Sequence, residues 1–297
     1  IHKYIKYISH MLLRPNWTKV YKIHRALLKI KEPHVTTLKD KASQCDRVVR
    51  CGKYFVPVRV YPKASNRVIV YFHGGGWTTD NINTYNSTCK TLSCKTNSTV
   101  VSVDYSLSPE NKFPKATEEC YAVTQSVLKK AKQDGKSVTL MGDSAGGNLS
   151  AVVSSMCRDR GTLMPDSQIL LYPVTYYNYT PNSPFNSVRE NGMDYILTSK
   201  RMSEYVSLYA SSQKDFTNPY FSPLCAKRFD SLPDTLVVTA QYDPLRDEGE
   251  YYAKKLKEAN NYVKVYRMKN VIHGFFVNDR KANSYTCTLI NNFFSNI

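Results

Sequence analysis

The chain has 297 residues, of which 42% are hydrophobic and 22% charged, and its net charge at pH 7 is +17. This composition excludes a disordered chain, because the apolar residues suffice for a sizeable core, and no apolar run reaches the roughly 18 residues of a membrane-spanning helix. A strongly basic chain can bind nucleic acid, but no zinc-finger or RNA-recognition motif accompanies the charge. We therefore expect no nucleic-acid partner.

The first predicted element is a basic amphipathic helix. It covers residues 17–30, and its apolar positions at helical spacing are Val20, Ile23, Leu27 and Leu28. We expect this face to dock on the chain's own domain. The alternative is an amphipathic anchor on a lipid surface.

The N-terminal sixth of the chain carries more than half of the excess charge. Residues 1–53 contain thirteen basic and three acidic side chains, which fits either a solvated basic surface or a peripheral lipid contact. Basic residues also interrupt every apolar run before residue 30, so this stretch does not resemble a signal peptide. A cytoplasmic location is slightly favoured, with a trimmed leader left open because the chain begins at Ile1.

From residue 45 onwards the pattern predicts strands that alternate with helices. The predicted strands are residues 47–49, 55–61, 67–72, 99–105, 137–141, 167–172, 236–240 and 262–268. The predicted helices are residues 84–92, 114–132, 145–158, 198–210, 245–260 and 282–294. Such alternation favours an α/β fold with a parallel sheet and right-handed crossovers.

The alternation breaks at residues 176–219, which are rich in Tyr, Asn, Pro and Ser. We expect this insertion and residues 1–44 to form a cap over the carboxyl edge of the sheet, where open α/β sheets bind ligands. Residues 45–175 and 220–297 are then the catalytic core. The insertion's aromatic residues suggest an apolar acyl pocket or plain cap packing: Tyr176, Tyr177, Tyr179, Phe185, Tyr195, Tyr205 and Tyr209.

The eight cysteines do not suggest a metal or dithiol site, because none forms a C-x-x-C pair. Cys45 and Cys51 are the one pair for which we consider a bridge across a turn. Several of the other cysteines lie in helix or strand patterns, where a free thiol behaves as a small buried hydrophobe. We expect no metal and no cofactor.

Ser144 is the predicted nucleophile. It lies in the pentapeptide Gly-Asp-Ser-Ala-Gly at residues 142–146, directly after a predicted strand and directly before a predicted helix. This is the setting of a nucleophile elbow, a tight turn that exposes the serine hydroxyl.

A second motif, His73-Gly74-Gly75-Gly76-Trp77, follows the predicted strand 67–72. Consecutive glycines let backbone N–H groups approach a ligand closely, as in the oxyanion holes that accompany a nucleophile elbow. We expect Gly75, Gly76 and Ala145 to supply the donors. His73 and Gly74 would shape the loop, and Trp77 would form a pocket wall.

A catalytic acid and a histidine should follow the serine in the chain. His273 is the only histidine C-terminal to Ser144, and it lies just after the predicted strand 262–268. Asp243 follows the strand before that one and is the preferred acid. Asp247 is the rival, although we expect it to lie in a helix.

Together these residues resemble the hormone-sensitive-lipase-like esterases. The matching segments are residues 73–77, 104–114 (DYSLSPENKFP), 142–149 (GDSAGGNL), 218–223, 243–249 (DPLRDEG) and 272–275. The resemblance implies an α/β-hydrolase fold with a mostly parallel eight-stranded sheet, helices on both faces and a mostly helical cap. It also implies supporting roles for Asp143 and Glu110. Ser106 stands where the family often has Arg, which puts a local salt bridge in doubt.

The predicted function is hydrolysis of short- to medium-chain carboxylic esters through an acyl-enzyme, with a small-molecule ester as the substrate. The same three residues leave an amidase, a deacetylase or a lipase open. A non-catalytic small-ligand receptor is the alternative of another class, and the presence of His273 argues against it. A homodimer is also left open.

Overall fold

The computed structural model describes residues 17–31 and 45–297. The first 16 residues and residues 32–44 of the predicted N-terminal cap segment lie outside this part of the chain. The strands are β1 (Cys45–Cys51), β2 (Tyr54–Tyr61), β3 (Arg67–Phe72), β4 (Thr99–Val103), β5 (Ser137–Asp143), β6 (Ser167–Leu171), β7 (Asp234–Tyr242) and β8 (Val263–Ile272). They form one eight-stranded sheet in the order β1-β2-β4-β3-β5-β6-β7-β8.

The sheet is mostly parallel, as the sequence predicted. β1 and β2 form an antiparallel hairpin, and β2 is also antiparallel to β4, whereas all pairs from β4 to β8 are parallel. The hairpin turns at Gly52 and Lys53, so Cys45 and Cys51 lie at opposite ends of the same strand. Six steps of extended backbone separate them by roughly 20 Å. The bridge considered for this pair is therefore wrong, and all eight cysteines are free.

The helices are α1 (Trp17–Lys31), α2 (Asn86–Thr96), α3 (Lys115–Gln133), α4 (Ala145–Asp159), α5 (Asn186–Glu190), α6 (Ser199–Tyr209), α7 (Arg246–Glu258), α8 (Phe275–Asn278) and α9 (Arg280–Phe294). Short 3₁₀ turns cover Gln213–Thr217 and Pro223–Cys225. No helix within the described ranges is long and apolar enough to cross a membrane.

Helices cover both faces of the sheet. Alternate side chains of a buried strand therefore pack in two different cores, one on each face. Val68 and Val70 of β3 pack in a core that includes residues of α3 and α4. Ile69 and Tyr71 of the same strand pack in a second core with residues of α2 and α9. This period-two division explains the almost continuous apolar sequence of β3, which is buried on both faces.

Helix α1 docks on α6, a helix of the insertion at residues 176–219. Of the predicted face, Val20 takes part in this contact, Ile23 and Leu27 do not, and the side chain of Leu28 lies outside the described part of the chain. Tyr21 is buried against Leu208 of α6, whereas Ile23 and Leu27 are 62% and 52% exposed. The prediction was wrong for Ile23 and Leu27, because Tyr21 and Arg25, which lie off the predicted face, make tertiary contacts of this helix. Helical periodicity groups the residues of a face but does not say which face meets a partner.

Candidate active site

Ser144 lies on a sharp turn between β5 and α4. Its backbone has φ 55° and ψ −117°, a conformation that side-chain-bearing residues rarely adopt. The turn leaves no room for side chains at its flanks. A Cβ on Gly142 would collide with the backbone of Gly146, and a Cβ on Gly146 would collide with the carbonyl of Phe72. The two glycines of the pentapeptide are therefore required by the close approach of β3, β5 and α4.

The structure brings Ser144, His273 and Asp243 together. Nε2 of His273 lies 2.9 Å from the Ser144 hydroxyl oxygen, and Nδ1 lies 2.7 Å from Oδ2 of Asp243. A carboxylate only accepts hydrogen bonds, so Nδ1 carries the proton and Nε2 accepts from the serine hydroxyl. Each residue directly follows a parallel strand, and the carboxyl ends of such strands share one edge of the sheet.

The surroundings of His273 and Asp243 restrict their movement. Asp243 is completely buried, and its Oδ1 accepts from the N–H of Leu245 at 2.9 Å. The ring of Tyr172 meets the His273 ring edge-on, with 4.7 Å between centroids. One carboxylate oxygen is thus held by backbone while the other faces the imidazole.

Asp247, the rival acid, lies elsewhere. It is in the first turn of α7, where its carboxylate accepts from Arg246 Nε at 2.8 Å and from the Ser187 N–H at 2.7 Å. Burial opposes ionisation of this group, but the hydrogen bonds from Arg246 and Ser187 outweigh it and lower its pKa. Asp247 is therefore an ionised link between α7 and α5.

The glycine loop after β3 runs through three consecutive residues of positive φ. The angles are 99° at Gly75, 59° at Gly76 and 56° at Trp77. A Cβ on Gly75 would meet the carbonyl of Thr79, and one on Gly76 would meet the ring of Tyr205. The N–H groups of Gly75 and Gly76 have no hydrogen-bond partner in the described part of the chain. Ala145, the first residue of α4, likewise has an N–H that the helix itself does not use.

His73 supports this loop and does not approach the serine. Its ring stacks on Tyr105 with 4.2 Å between centroids, and its Nδ1 lies 2.8 Å from the carbonyl oxygen of Gly74. The Tyr105 hydroxyl donates to the His73 carbonyl at 2.7 Å. Trp77 is fully buried and stacks on Tyr209, with 4.4 Å between centroids.

Three tyrosines around Asp143 were not predicted from the sequence. Tyr71 donates to Oδ1 at 2.8 Å, Tyr85 donates to Oδ2 at 2.9 Å, and Tyr172 lies 3.4 Å from Oδ2. Burial raises the pKa of Asp143, and the hydrogen bonds from Tyr71 and Tyr85 oppose that rise. Tyr85 also accepts from the N–H of Gly74 at 3.1 Å. These tyrosines lie in separate elements, so no local motif identifies them.

Ser106, which stands where the family often has Arg, hydrogen-bonds an acidic side chain. The buried Glu119 accepts from the Ser106 N–H at 2.8 Å and from its hydroxyl at 2.9 Å. Lys115 of the same helix lies 3.0 Å from this carboxylate. The carboxylate of Glu119 therefore has a local cation despite the departure from the family pattern.

Comparison with known proteins gives the same fold and chemistry. A family model described as the alpha/beta hydrolase fold matches residues 69–277. An arylesterase of Saccharolobus solfataricus is 35% identical over 248 residues, which cover 81% of this chain and 79% of the relative. An ethyl acetate hydrolase of Pseudomonas putida is 28% identical over 74% of this chain and 71% of its own length.

Solved structures of esterases are also similar over nearly the whole chain. A hyperthermophilic esterase from the archaeon Pyrobaculum calidifontis superposes with a TM-score of 0.83 at 33% identity, covering 98% of this chain and 96% of that one. A thermostable esterase from Pseudomonas putida gives a TM-score of 0.86 at 28% identity, covering 98% and 95%.

Proposed function

Because the chain belongs to the hormone-sensitive-lipase-like family of α/β-hydrolases and is a carboxylic ester hydrolase, we propose that Ser144 is its nucleophile and that short- to medium-chain esters are its substrates. The observation that carries this proposal is the position of His273, within hydrogen-bond distance of both Ser144 and Asp243. A serine is a weak nucleophile until a neighbouring base removes its proton, and this pair supplies that base.

In the first half of the reaction, His273 takes the hydroxyl proton as the Ser144 oxygen attacks the ester carbonyl. The carbonyl π-electrons move to oxygen, and the N–H groups of Gly75, Gly76 and Ala145 bind the resulting oxyanion. When the tetrahedral intermediate collapses, the bond to the alcohol oxygen breaks. His273 donates the proton that it took from Ser144 to the alcohol oxygen. The alcohol leaves, and the acyl group stays on Ser144.

In the second half, water replaces the alcohol. His273 accepts a proton from the water as its oxygen attacks the acyl carbonyl, and the same N–H groups hold the second oxyanion. Collapse breaks the bond to the Ser144 oxygen, which recovers its proton from His273. Asp243 keeps the proton of the imidazole on Nδ1 and stabilises the imidazolium formed in each half.

The proposed limit on the acyl-chain length of the substrate rests on aromatic side chains close to the glycine loop. The ring of Tyr205 abuts Gly76, and Trp77 is stacked on Tyr209 and packed near Phe221. We propose that residues 1–44 and 176–219 form a cap that limits the acyl chain. The Pseudomonas putida relative, whose name gives ethyl acetate as its substrate, supports a short ester.

A panel of p-nitrophenyl esters from two to sixteen acyl carbons tests the proposal. We expect kcat/KM to be highest at short to medium length and to fall by at least about 10³-fold in Ser144→Ala. Equal rates for the two proteins would refute the nucleophile and would favour the receptor alternative. A maximum at long chains would favour a lipase, and a faster rate with p-nitroacetanilide than with p-nitrophenyl acetate would favour an amidase.

We also propose a peripheral lipid contact through α1, because this helix turns apolar and basic side chains to solvent. Ile23 and Leu27 are exposed, and Lys22 beside them is exposed as well. Such a face suits an anionic membrane surface. Sedimentation with phosphatidylglycerol vesicles should exceed that with phosphatidylcholine vesicles, and Ile23→Ser/Leu27→Ser should abolish the difference. Equal sedimentation of the wild type with both vesicles would exclude the contact.

A further inference from the structure

The glycine loop, residues 74–78, has a backbone that needs external support. Positive φ at Trp77 is costly because the side chain crowds the backbone, by about 1–3 kcal/mol for such residues. The loop must also keep two N–H groups free to bind an oxyanion, so these groups cannot hold it in place. Neighbours can therefore fix it at its carbonyl oxygens, in addition to the Gly74 N–H that donates to Tyr85.

A second loop holds one of these carbonyls. The N–H of Ser108 donates to the carbonyl oxygen of Trp77 at 2.8 Å. This contact joins the glycine loop to the segment between β4 and α3, which carries Ser108 and Glu110. It leaves two neighbouring carbonyl oxygens, those of Thr78 and Ser108, to be held by other groups.

Arg25 of α1 supplies both missing contacts. Its Nε donates to the carbonyl of Thr78 at 2.6 Å, and its Nη2 donates to the carbonyl of Ser108 at 2.5 Å. Its Nη1 pairs with Glu110 at 3.0 Å. One planar guanidinium therefore joins the two loops next to the point where they meet, and Glu110 balances its charge.

The same helix reaches the glycine loop through an apolar contact. Val20 and Tyr21 of α1 pack with Leu208 and Tyr205 of α6, and the Tyr205 ring lies against Gly76. The Arg25 guanidinium also lies over the Tyr21 ring, 4.9 Å from its centroid. Polar and apolar contacts from one helix thus converge on residues 76–78.

We propose that Arg25 is a positioning residue for the oxyanion hole: it holds the Thr78 and Ser108 carbonyls so that the N–H groups of Gly75 and Gly76 keep their direction. This inference rests on the proposed function, because it gives the glycine loop a task in the reaction. Arginine is suited to this position because its fork of N–H donors has a fixed geometry. Lysine has one charged nitrogen and cannot span both carbonyls in the same way.

The test compares Arg25→Ala, Arg25→Lys and the wild type on p-nitrophenyl butyrate, with active sites counted by a phosphonate titrant. We expect kcat per active site to fall about 10- to 100-fold in Arg25→Ala, with KM within about threefold, because small errors in the position of such donors are costly. Arg25→Lys should lose a smaller factor, about 3- to 10-fold, because lysine keeps the charge but not the fork of donors. Arg47→Ala is the control: it removes an exposed arginine of β1 that donates to the carbonyl of its neighbour Asp46, and it should equal the wild type.

Two further measurements separate positioning from general destabilisation. Binding of an alkyl trifluoromethyl ketone, which forms an oxyanion on the serine, should weaken by the factor that kcat/KM loses. Millimolar guanidinium chloride should restore part of the kcat of Arg25→Ala, whereas sodium chloride should not. If Arg25→Ala does not fold, Arg25→Lys decides the question alone.

The outcomes are distinct for the two proposals. An active wild type with unchanged kcat in Arg25→Lys and Arg25→Ala overturns the role of Arg25 and leaves the proposed function intact. A fall in active-site number with unchanged kcat per site also overturns it, since the residue would then only stabilise the fold. A wild type no faster than Ser144→Ala overturns both.

Discussion

Tyr85 links Asp143, the residue before the serine, to the first glycine of the oxyanion loop. Its hydroxyl donates to Oδ2 of Asp143 at 2.9 Å and accepts from the Gly74 N–H at 3.1 Å. One buried side chain therefore supports both the nucleophile turn and the glycine loop. Tyr71 makes a similar hydrogen bond to the other oxygen of Asp143 but, within the described residues, none to the loop.

This difference gives a matched pair of variants. Tyr85→Phe and Tyr71→Phe each remove one hydrogen bond from a buried carboxylate, so each should lower the free energy of unfolding by about 1–3 kcal/mol. Only Tyr85→Phe also removes the acceptor of the Gly74 N–H. We therefore expect the kcat of Tyr85→Phe to fall about 10-fold, while that of Tyr71→Phe stays within about twofold. Urea denaturation and steady-state kinetics measure the two effects. Equal losses of kcat in both variants would contradict the link to Gly74.

A Cβ at Gly76 and one at Gly75 would meet different obstacles. The Gly76 Cβ would strike the Tyr205 side chain, whereas the Gly75 Cβ would strike the carbonyl of Thr79. Gly76→Ala and Gly75→Ala should each lower kcat by about 10²-fold or more, because the oxyanion donors move. Adding Tyr205→Ala should recover part of the kcat of Gly76→Ala, up to the cost of its positive φ, and none of that of Gly75→Ala. Recovery in both double variants would disprove the assigned obstacles.

The sheet and the residues of the site could be predicted from the sequence, because short contiguous segments carry the necessary information. The elbow and the glycine loop are contiguous motifs, and Asp243 and His273 each follow a recognisable strand. Parallel strands bring their carboxyl ends to one edge, so strand order along the chain is enough to expect these residues there.

The supports of the site could not be predicted because their partners are distant or are backbone atoms. Arg25 binds two carbonyl oxygens more than 50 residues away, and every residue has a carbonyl, so no residue type marks the partner. Part of the predicted face of α1 was wrong for the same reason. The apolar spacing favoured Val20, Ile23, Leu27 and Leu28, but α6 accepts Val20 together with Tyr21, and Ile23 and Leu27 are exposed.

Asp243 and Asp247, the two candidate acids, should respond differently to the same substitution. Asp243→Asn keeps the size of the side chain but presents an amide to Nδ1 of His273, which disfavours the tautomer that accepts from Ser144. We expect kcat to fall by about 10⁴-fold. Asp247→Asn should keep nearly full kcat and lose some stability, because it weakens the contacts to Arg246 and Ser187. A larger loss of kcat in Asp247→Asn than in Asp243→Asn would make Asp247 the catalytic acid.

Glu248 gives a pH dependence of stability that is separate from the reaction. The residue is fully buried, and its Oε1 accepts from the Thr175 N–H at 2.7 Å, the Tyr176 N–H at 3.1 Å and the Tyr179 hydroxyl at 3.0 Å. Its Oε2 has no hydrogen-bond partner within the described ranges. Burial raises the pKa of Glu248 from 4.5 to about 8, although these hydrogen bonds oppose the rise.

The sign of the effect follows from proton uptake. Between pH 4.5 and about 8 the folded protein holds a proton on Glu248 that the unfolded chain releases. The group's contribution to stability is therefore complete below pH 4.5 and is lost as the pH rises through 8, with a slope of up to about 1.4 kcal/mol per pH unit. Glu248→Gln keeps an acceptor for the same donors and cannot ionise, so its free energy of unfolding should lack this slope. Urea denaturation from pH 5 to 8 measures both proteins, and parallel curves would mean that Glu248 is ionised in the folded state throughout this range.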